Sequence, residues 1–163
     1  MSISTVSELR TAVENFMLRP GDTVISSRVD EFIALCEAQI LRGTESPHPF
    51  PTRPLRARQM ETRLTTYSIN AEYVDLPTGF LETVDIYTDT SPRKELEYVA
   101  PQIFNQLYAS TQTGDSPAIY TIIGTKARFA PAPASAVTAI FTYYQEITPL
   151  SDAAPTNWLL TDA

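Results

Sequence analysis

The sequence predicts an α+β fold: an N-terminal antiparallel helix pair followed by a small, mainly antiparallel β-sheet with one short helix. Three observations lead there. Residues 5–43 carry two blocks of apolar residues at helical spacing. Pro47, Pro49, Pro51 and Pro54 then forbid helix, because each pushes its preceding residue into extended geometry. From Gln59 onward, short runs rich in Thr, Tyr, Val and Ile alternate with turn residues. The 163 residues fit one domain with a helical part (5–43), a Pro-rich arm (44–58), a β-rich part (59–148) and a C-terminal segment (149–163).

Thr5 and Glu8 have the spacing of a capping box and open a helix over 6–18, with Val6, Leu9, Val13, Phe16 and Met17 on one face. Arg19, Pro20 and Gly21 stop it. Asp22 or Thr23 starts a second helix over 24–42, whose expected buried stripe is Val29, Phe32, Ile33, Cys36, Ile40 and Leu41. Gly43 suits the left-handed position after a helix end. Two amphipathic helices joined by a short loop pack antiparallel.

The arm is locally basic. From Arg42 to Arg63 there are five arginines (42, 53, 56, 58, 63) against Glu45 and Glu61, a net of +3. It reads as a solvent-facing connection, as an arm lying on an acidic neighbouring subunit, or as a contact to DNA backbone.

Beyond it, Gln59–Ser68 suits an exposed or edge strand. Tyr73–Leu76 is a short strand, and Pro77, Thr78 and Gly79 make a turn beside buried Phe80 and Leu81. Glu82–Thr88 is a half-buried strand with Val84 and Ile86 inward, and Leu96 and Tyr98 continue the β pattern. Pro101 opens a short helix with Ile103, Phe104 and Leu107 as its apolar face. Ala118–Ile123 and Lys126–Ala130 flank Gly124 and Thr125 as a two-residue hairpin. Val137–Ile147, the longest β run, is the expected spine of the sheet, with that hairpin beside it. Tyr143 and Tyr144 put one ring on each face of it, one in the core and one at the surface or an oligomer contact.

The composition bounds the function. A net charge of −7 disfavours non-specific attachment to nucleic acid or anionic membrane, both of which need Lys and Arg against phosphate. No window approaches the length of an apolar membrane span, and the N-terminus does not read as a signal peptide. The single cysteine, Cys36, excludes an internal disulfide framework and is expected as a small buried hydrophobe. The single histidine, His48, sits between two prolines with no carboxylate cluster near it, so neither a metal site nor a Ser–His–Asp arrangement is expected. There is no phosphate-cradling glycine loop. Of the carboxylates near each other in sequence, Glu82 with Asp85 and Glu95 with Glu97, neither is expected to form an acid–base pair, and Glu95 and Glu97 read as a solvated strand face. No enzyme activity, cofactor or metal follows.

Tyr73-Val-Asp-Leu-Pro77-Thr-Gly-Phe80-Leu81, a strand, a helix, a hairpin ending in Phe129-Ala-Pro131, then Phe141-Thr-Tyr143-Tyr144, Leu150-Ser-Asp152 and Asn157-Trp158-Leu159-Leu160 follow one another in this order. That succession resembles the head-to-tail adaptor proteins of tailed bacteriophages, also called head-completion or connector proteins, over 60–163 closely and over the two helices loosely. The resemblance implies a non-enzymatic virion protein of the neck, made in the bacterial host cytoplasm. It implies a ring of twelve copies beneath the portal protein that extends the DNA channel without binding DNA specifically and docks the next stopper or tail protein. The interface residues expected on this basis are Arg53, Arg56 and Arg58 in the arm, Tyr143 and Tyr144 on the long strand, and Trp158, Leu159 and Leu160 in a C-terminal docking segment. In the family that last segment leads into a further helix, whereas this sequence ends at Ala163, so the resemblance assigns no portal contact here. The alternatives are another connector (a stopper, tail-terminator or tube subunit) or a small binding module working through Tyr and Trp, for example on glycans.

Overall fold

The computed structural model describes residues 3–18, 20–43, 53–108 and 112–161. His48 and most of the Pro-rich arm lie outside these. The chain forms two compact units, one from residues 1–60 and 146–163 and the other from 61–145. The first is helical. The second is an all-in-one insertion of strands and one short helix.

In the helical unit, α1 spans Val6–Phe16. Its capping box forms as the sequence requires: Thr5 Oγ1 accepts from the Glu8 backbone N–H at 3.3 Å, and Glu8 Oε2 accepts from the Ser4 and Thr5 N–H groups at 2.8 and 3.1 Å. These bonds, first those from Ser4, hold the Glu8 carboxyl below its ordinary value. Helix α2 spans Thr23–Arg42, with Asp22 accepting from Val24 N–H at its start and Gly43 at φ 72° ending it. The two helices pack on each other through Val6, Val29 and Ile33, with Leu9, Val13 and Ile25 at the margin. The expected stripe is only half buried, however. Phe32 is half exposed and Ile40 about a third, and at the end of the first helix Phe16 and the following Met17 are exposed. Cys36 is exposed rather than buried. Two helices with one partner each cannot cover a stripe this wide.

After a 3₁₀ turn at Arg58–Met60, the second unit begins. Its strands are β1 Glu61–Ile69, β2 Tyr73–Asp75, β3 Phe80–Thr88, β4 Lys94–Glu95 and β5 Glu97–Tyr98. Helix α3, Pro101–Leu107, follows, with Pro101 in its first turn. Then come β6 Thr113–Gly114, β7 Ile119–Ile123, β8 Lys126–Ala130, β9 Ala132–Pro133 and β10 Val137–Gln145. They make one sheet in the order β1-β10-β3-β4, a second in the order β2-β8-β7-β5, and a small β6-β9 pair. Pairing is mainly antiparallel, with β5-β7 and β6-β9 parallel.

β10 is the spine: β1 and β3 flank it on either side, leaving β1 as an edge strand. The β7–β8 hairpin, with Gly124 at φ 62° in its turn, does not lie beside β10 in a shared sheet. It belongs to the second sheet and meets β10 face to face through the core. The chain changes sheets at buried Leu96, whose N–H bonds Ile86 O while the next N–H, of Glu97, bonds Ala118 O.

Between the sheets Phe141 is the hub. Its ring lies 5.1 Å from Tyr67, 5.3 Å from Tyr143 and 5.8 Å from Phe80, centroid to centroid, and Tyr67 and Tyr120 continue the cluster to Phe129. Irregular register explains where simple alternation fails. Tyr143 pairs with Thr83 but Thr142 with Asp85, so Val84 is an extra residue at a bulge and turns to solvent, 45% exposed. In α3 only Phe104 is buried, while Ile103 and Leu107 face out. That helix is held instead by Arg128, which donates to Glu72 at 2.6 Å and to Asn105 Oδ1 at 2.7 Å and stacks its guanidinium 4.8 Å from the Phe104 ring.

Burial gives the core a pH signature. The Tyr67 hydroxyl donates to Asp75 O at 3.0 Å, and burial, with the Asp75 charge adding, pushes its phenol up to about 12 from an ordinary 10. Burial also raises Tyr120 and Tyr143. In the fold these phenols keep protons that the unfolded chain has released, so stability is complete below pH 10 and declines as pH rises toward the Tyr67 value. Tyrosinate absorbance followed during alkaline titration should show a late-ionising phenol that disappears in Tyr67→Phe. At neutral pH the same variant should lose about 0.5–1.5 kcal/mol in denaturant unfolding, the worth of one hydrogen bond.

Candidate functional site

No described set of His, Cys, Asp or Glu is grouped so as to hold a metal ion. The carboxylates that stand near each other in sequence do not share a pocket. Glu95 and Glu97 are exposed on either side of Leu96. Asp85 lines a cleft with Arg63, Tyr87 and Arg93, without Glu82. Among the described residues the chemically distinctive feature is therefore a surface, and it lies on the helical unit.

That surface forms because the C-terminal segment returns to the helices and is tied to them at three places. Arg10, on α1, forks: its Nε and Nη2 donate to Asp30 of α2 at 2.6 and 3.0 Å, and its Nη1 to Asp152 of the returning segment at 2.6 Å. Those two carboxylates, Asp30 first, raise the Arg10 guanidinium still further above its already high ordinary value. At the start of α1, the Val6 N–H donates to Pro155 O at 2.8 Å. On α2, Glu37 Oε1 accepts from Leu150 N–H at 3.1 Å and from Asn157 Nδ2 at 3.5 Å. Asn157 in turn donates to Thr148 O and caps a final turn, α4 Trp158–Thr161, through its side-chain oxygen on Leu160 N–H.

The consequence is an apolar groove of about 230 Å³, walled by Leu9 and Val13 of α1, Phe32, Cys36 and Ile40 of α2, and the returning Leu150, Leu159 and Leu160. Its polar lining is Cys36, Glu37 and Asn157, of which Glu37 Oε1 and the Asn157 amide are bonded within the unit. What it offers is apolar area to another apolar surface. Around Cys36 and Ile40 it borders a second, wider cleft lined by Gln39, Arg53, Leu55 and Arg56.

The residues singled out by sequence fall into three places. Leu159 and Leu160 wall the groove, with half-buried Trp158 next to them. Arg53 is exposed at the neighbouring cleft, whereas Arg56 is half buried and its Nη1 donates to Leu55 O and Leu41 O at the end of α2; Arg58 is exposed on the 3₁₀ turn. Tyr143 and Tyr144 belong to the other unit. Tyr143 is the buried ring, at 5% exposure, and so is not presented to a partner. Tyr144 is the outer one, its hydroxyl 3.4 Å from Glu61. Arg10 and Glu37 carry no local signal because their partners in the returning segment are remote in the chain, and Asp152 stands out in the sequence only as the end of the Leu150-Ser-Asp152 run. The one available sign was an arginine set within the apolar half of an otherwise amphipathic helix.

Residues 4–163 match the family model described as SU10 adaptor protein, so the chain belongs to that family, a family of bacteriophage structural adaptors, and is a virion component. No match was found among curated proteins.

Removing the Glu37 acceptor leaves the Leu150 N–H without its partner and takes one of two acceptors from the Asn157 amide. Glu37→Ala should cost about 1–3 kcal/mol and shift the emission of Trp158 toward that of a solvated indole, and a spectrum unchanged from the parent would show that the tail is held without Glu37.

Proposed function

We propose that this protein is the head-to-tail adaptor of a tailed phage: a ring subunit, twelve copies around, that binds beneath the portal, extends the DNA channel and docks the next stopper or tail component. The observation that carries this reading is the family match along nearly the whole chain. Two physical features support it. The net charge of −7 suits a wall past which DNA moves, since an acidic surface gains nothing by releasing counterions from phosphate. An open apolar groove suits a protein that remains folded alone and completes its surface on assembly. In this reading Trp158, Leu159, Leu160 and Arg53 belong to the docking face on the helical unit, and Arg58 and Tyr144 to lateral contacts. Arg56 shapes the cleft by holding the end of α2.

The reading is tested at two levels. Particles assembled without this protein should fill with DNA yet lack tails, and reconstruction of complete particles should place its density between portal and tail; complete tails without it would contradict the proposal. Trp158→Ala should weaken assembly with neighbouring subunits and neck proteins at least tenfold, about 1.4 kcal/mol, while lowering the thermal midpoint of the isolated protein by only a few degrees. Equal losses in both would make Trp158 a core residue only.

A further inference from the structure

The sheet β1-β10-β3-β4 ends on two open edges. Among the described residues no backbone group of β1 or β4 bonds outside that sheet. β1 is nine residues long and carries neither Pro nor Lys, residues by which edge strands are commonly kept from pairing. Its register against β10 shifts between Leu64 and Tyr67, so the regular run on its open side is Glu61–Leu64. At the other edge, the residue after β4, Leu96, is still bonded to Ile86. That edge therefore offers Lys94–Leu96, a run of similar length.

We infer that these two edges pair between copies of the chain: the Glu61–Leu64 run of one copy adds to the Lys94–Leu96 edge of the next, and the sheet continues from subunit to subunit. The inference deepens the ring reading above and rests on it, naming the contact through which neighbouring copies join. Two features select a second copy. The first is direction. Every pairing in this sheet is antiparallel, so across its four strands β1 and β4 run opposite ways. A copy set beside the first in the same orientation therefore lays its β4 antiparallel to β1. The new pairing repeats the bonding pattern of the rest of the sheet.

The second feature is charge. Arg63 stands opposite Thr142 of β10, and Glu95 opposite Tyr87, which itself stands opposite Ile140 of β10. Thr142 and Ile140 lie on one face of β10, so Arg63 and Glu95 share that face at opposite edges of the sheet. Neither side chain is in an ion pair or hydrogen bond within the chain. Glu61, also on that face, is instead engaged by the Tyr144 hydroxyl at 3.4 Å. Joining the edges sets Arg63 of one copy against Glu95 of the next, an opposite-charge cross-strand pair. Because the two edges differ, the contact is head to tail, of the kind that generates rings or filaments rather than two-fold dimers. Each copy contributes one of each edge, so a short, weak contact is multiplied when a ring closes.

The test places one thiol on each edge. In a Cys36→Ser background, Arg63→Cys with Glu95→Cys should give a ladder of reducible multimers on treatment with diamide. A bond within one chain is excluded: β10 and β3 separate the two edges, at about 4.8 Å per strand step, and a disulfide needs Cα atoms within about 7 Å. Ser68→Cys with Glu95→Cys, its first thiol beyond the register shift, should give no ladder. In the parent background, Arg63→Glu should weaken self-association in sedimentation velocity roughly fivefold at low salt, and adding Glu95→Arg should restore it. Far-ultraviolet dichroism should be unchanged throughout. The inference is overturned if the first pair gives no ladder, if the Ser68 pair gives an equal one, or if the double charge reversal fails to restore association. Mass photometry of the unmodified protein separates this from the ring reading: rings without a ladder sink the edge pairing and keep the ring, whereas an edge-dependent ladder of open chains keeps the pairing and sinks the ring.

Discussion

The helical unit is made from both ends of the chain, and this is the constraint on which the rest of the structure depends. Residues 61–145 are inserted between its two parts, so the insertion must deliver the chain back to the place it left. The pairing of β1 with β10 does this. Glu61, the first residue of the insertion, stands opposite Tyr144, one residue from its end. Antiparallel strands so registered bring the two connections side by side. The return of residues 146–161 to α1 and α2 then needs no long closing loop, which keeps its entropic cost low. Phe141, at the middle of β10 and of the aromatic cluster, makes that pairing part of the core instead of an edge that could slip.

The same constraint shapes the surface. Two helices alone would expose a continuous apolar stripe. The returning segment covers part of it through Leu150, Leu159 and Leu160 and leaves a groove of defined width. Arg10 is therefore less a source of net stability than a means of fixing where that segment lies, since its ion pairs with Asp30 and Asp152 are largely exposed and such pairs contribute little by themselves. The walls of that groove stay apolar and open, while Glu37 Oε1 and the Asn157 amide beside them are bonded within the unit.

Local features were legible in the sequence to the extent that their causes are local. The Thr5–Glu8 box, the Asp22 cap, Gly43, Pro101 and the Gly124 turn all appear where residue chemistry puts them, and the helix-pair-then-sheet order followed from periodicity. Long-range choices were not legible. Nothing in Glu95-Leu96-Glu97 announces a change of sheet, because the signal is the partner each backbone group finds. Val84 follows the inward alternation in sequence, and a bulge set by the opposing strand turns it outward. Phe32, Cys36 and Ile40 were read as buried because amphipathicity marks a face as apolar without saying whether this chain or another covers it. At the site, Leu159 and Leu160 could be singled out by their resemblance to a family pattern, but the Arg10–Asp152 bond spans 142 residues and carries no local signature.

The bonds from Arg10, Glu37 and Val6 to the returning segment make that segment and the two helices one cooperative body. Native-state hydrogen exchange over a series of low denaturant concentrations measures this directly, residue by residue. The amides of Leu150, Ala154 and Val6 should open together with those of α1 and α2, with one free energy and one denaturant dependence, distinct from the amides of β10. Tail amides exchanging at unprotected rates while α1 and α2 stay protected would show that the returning segment is not part of the helical body.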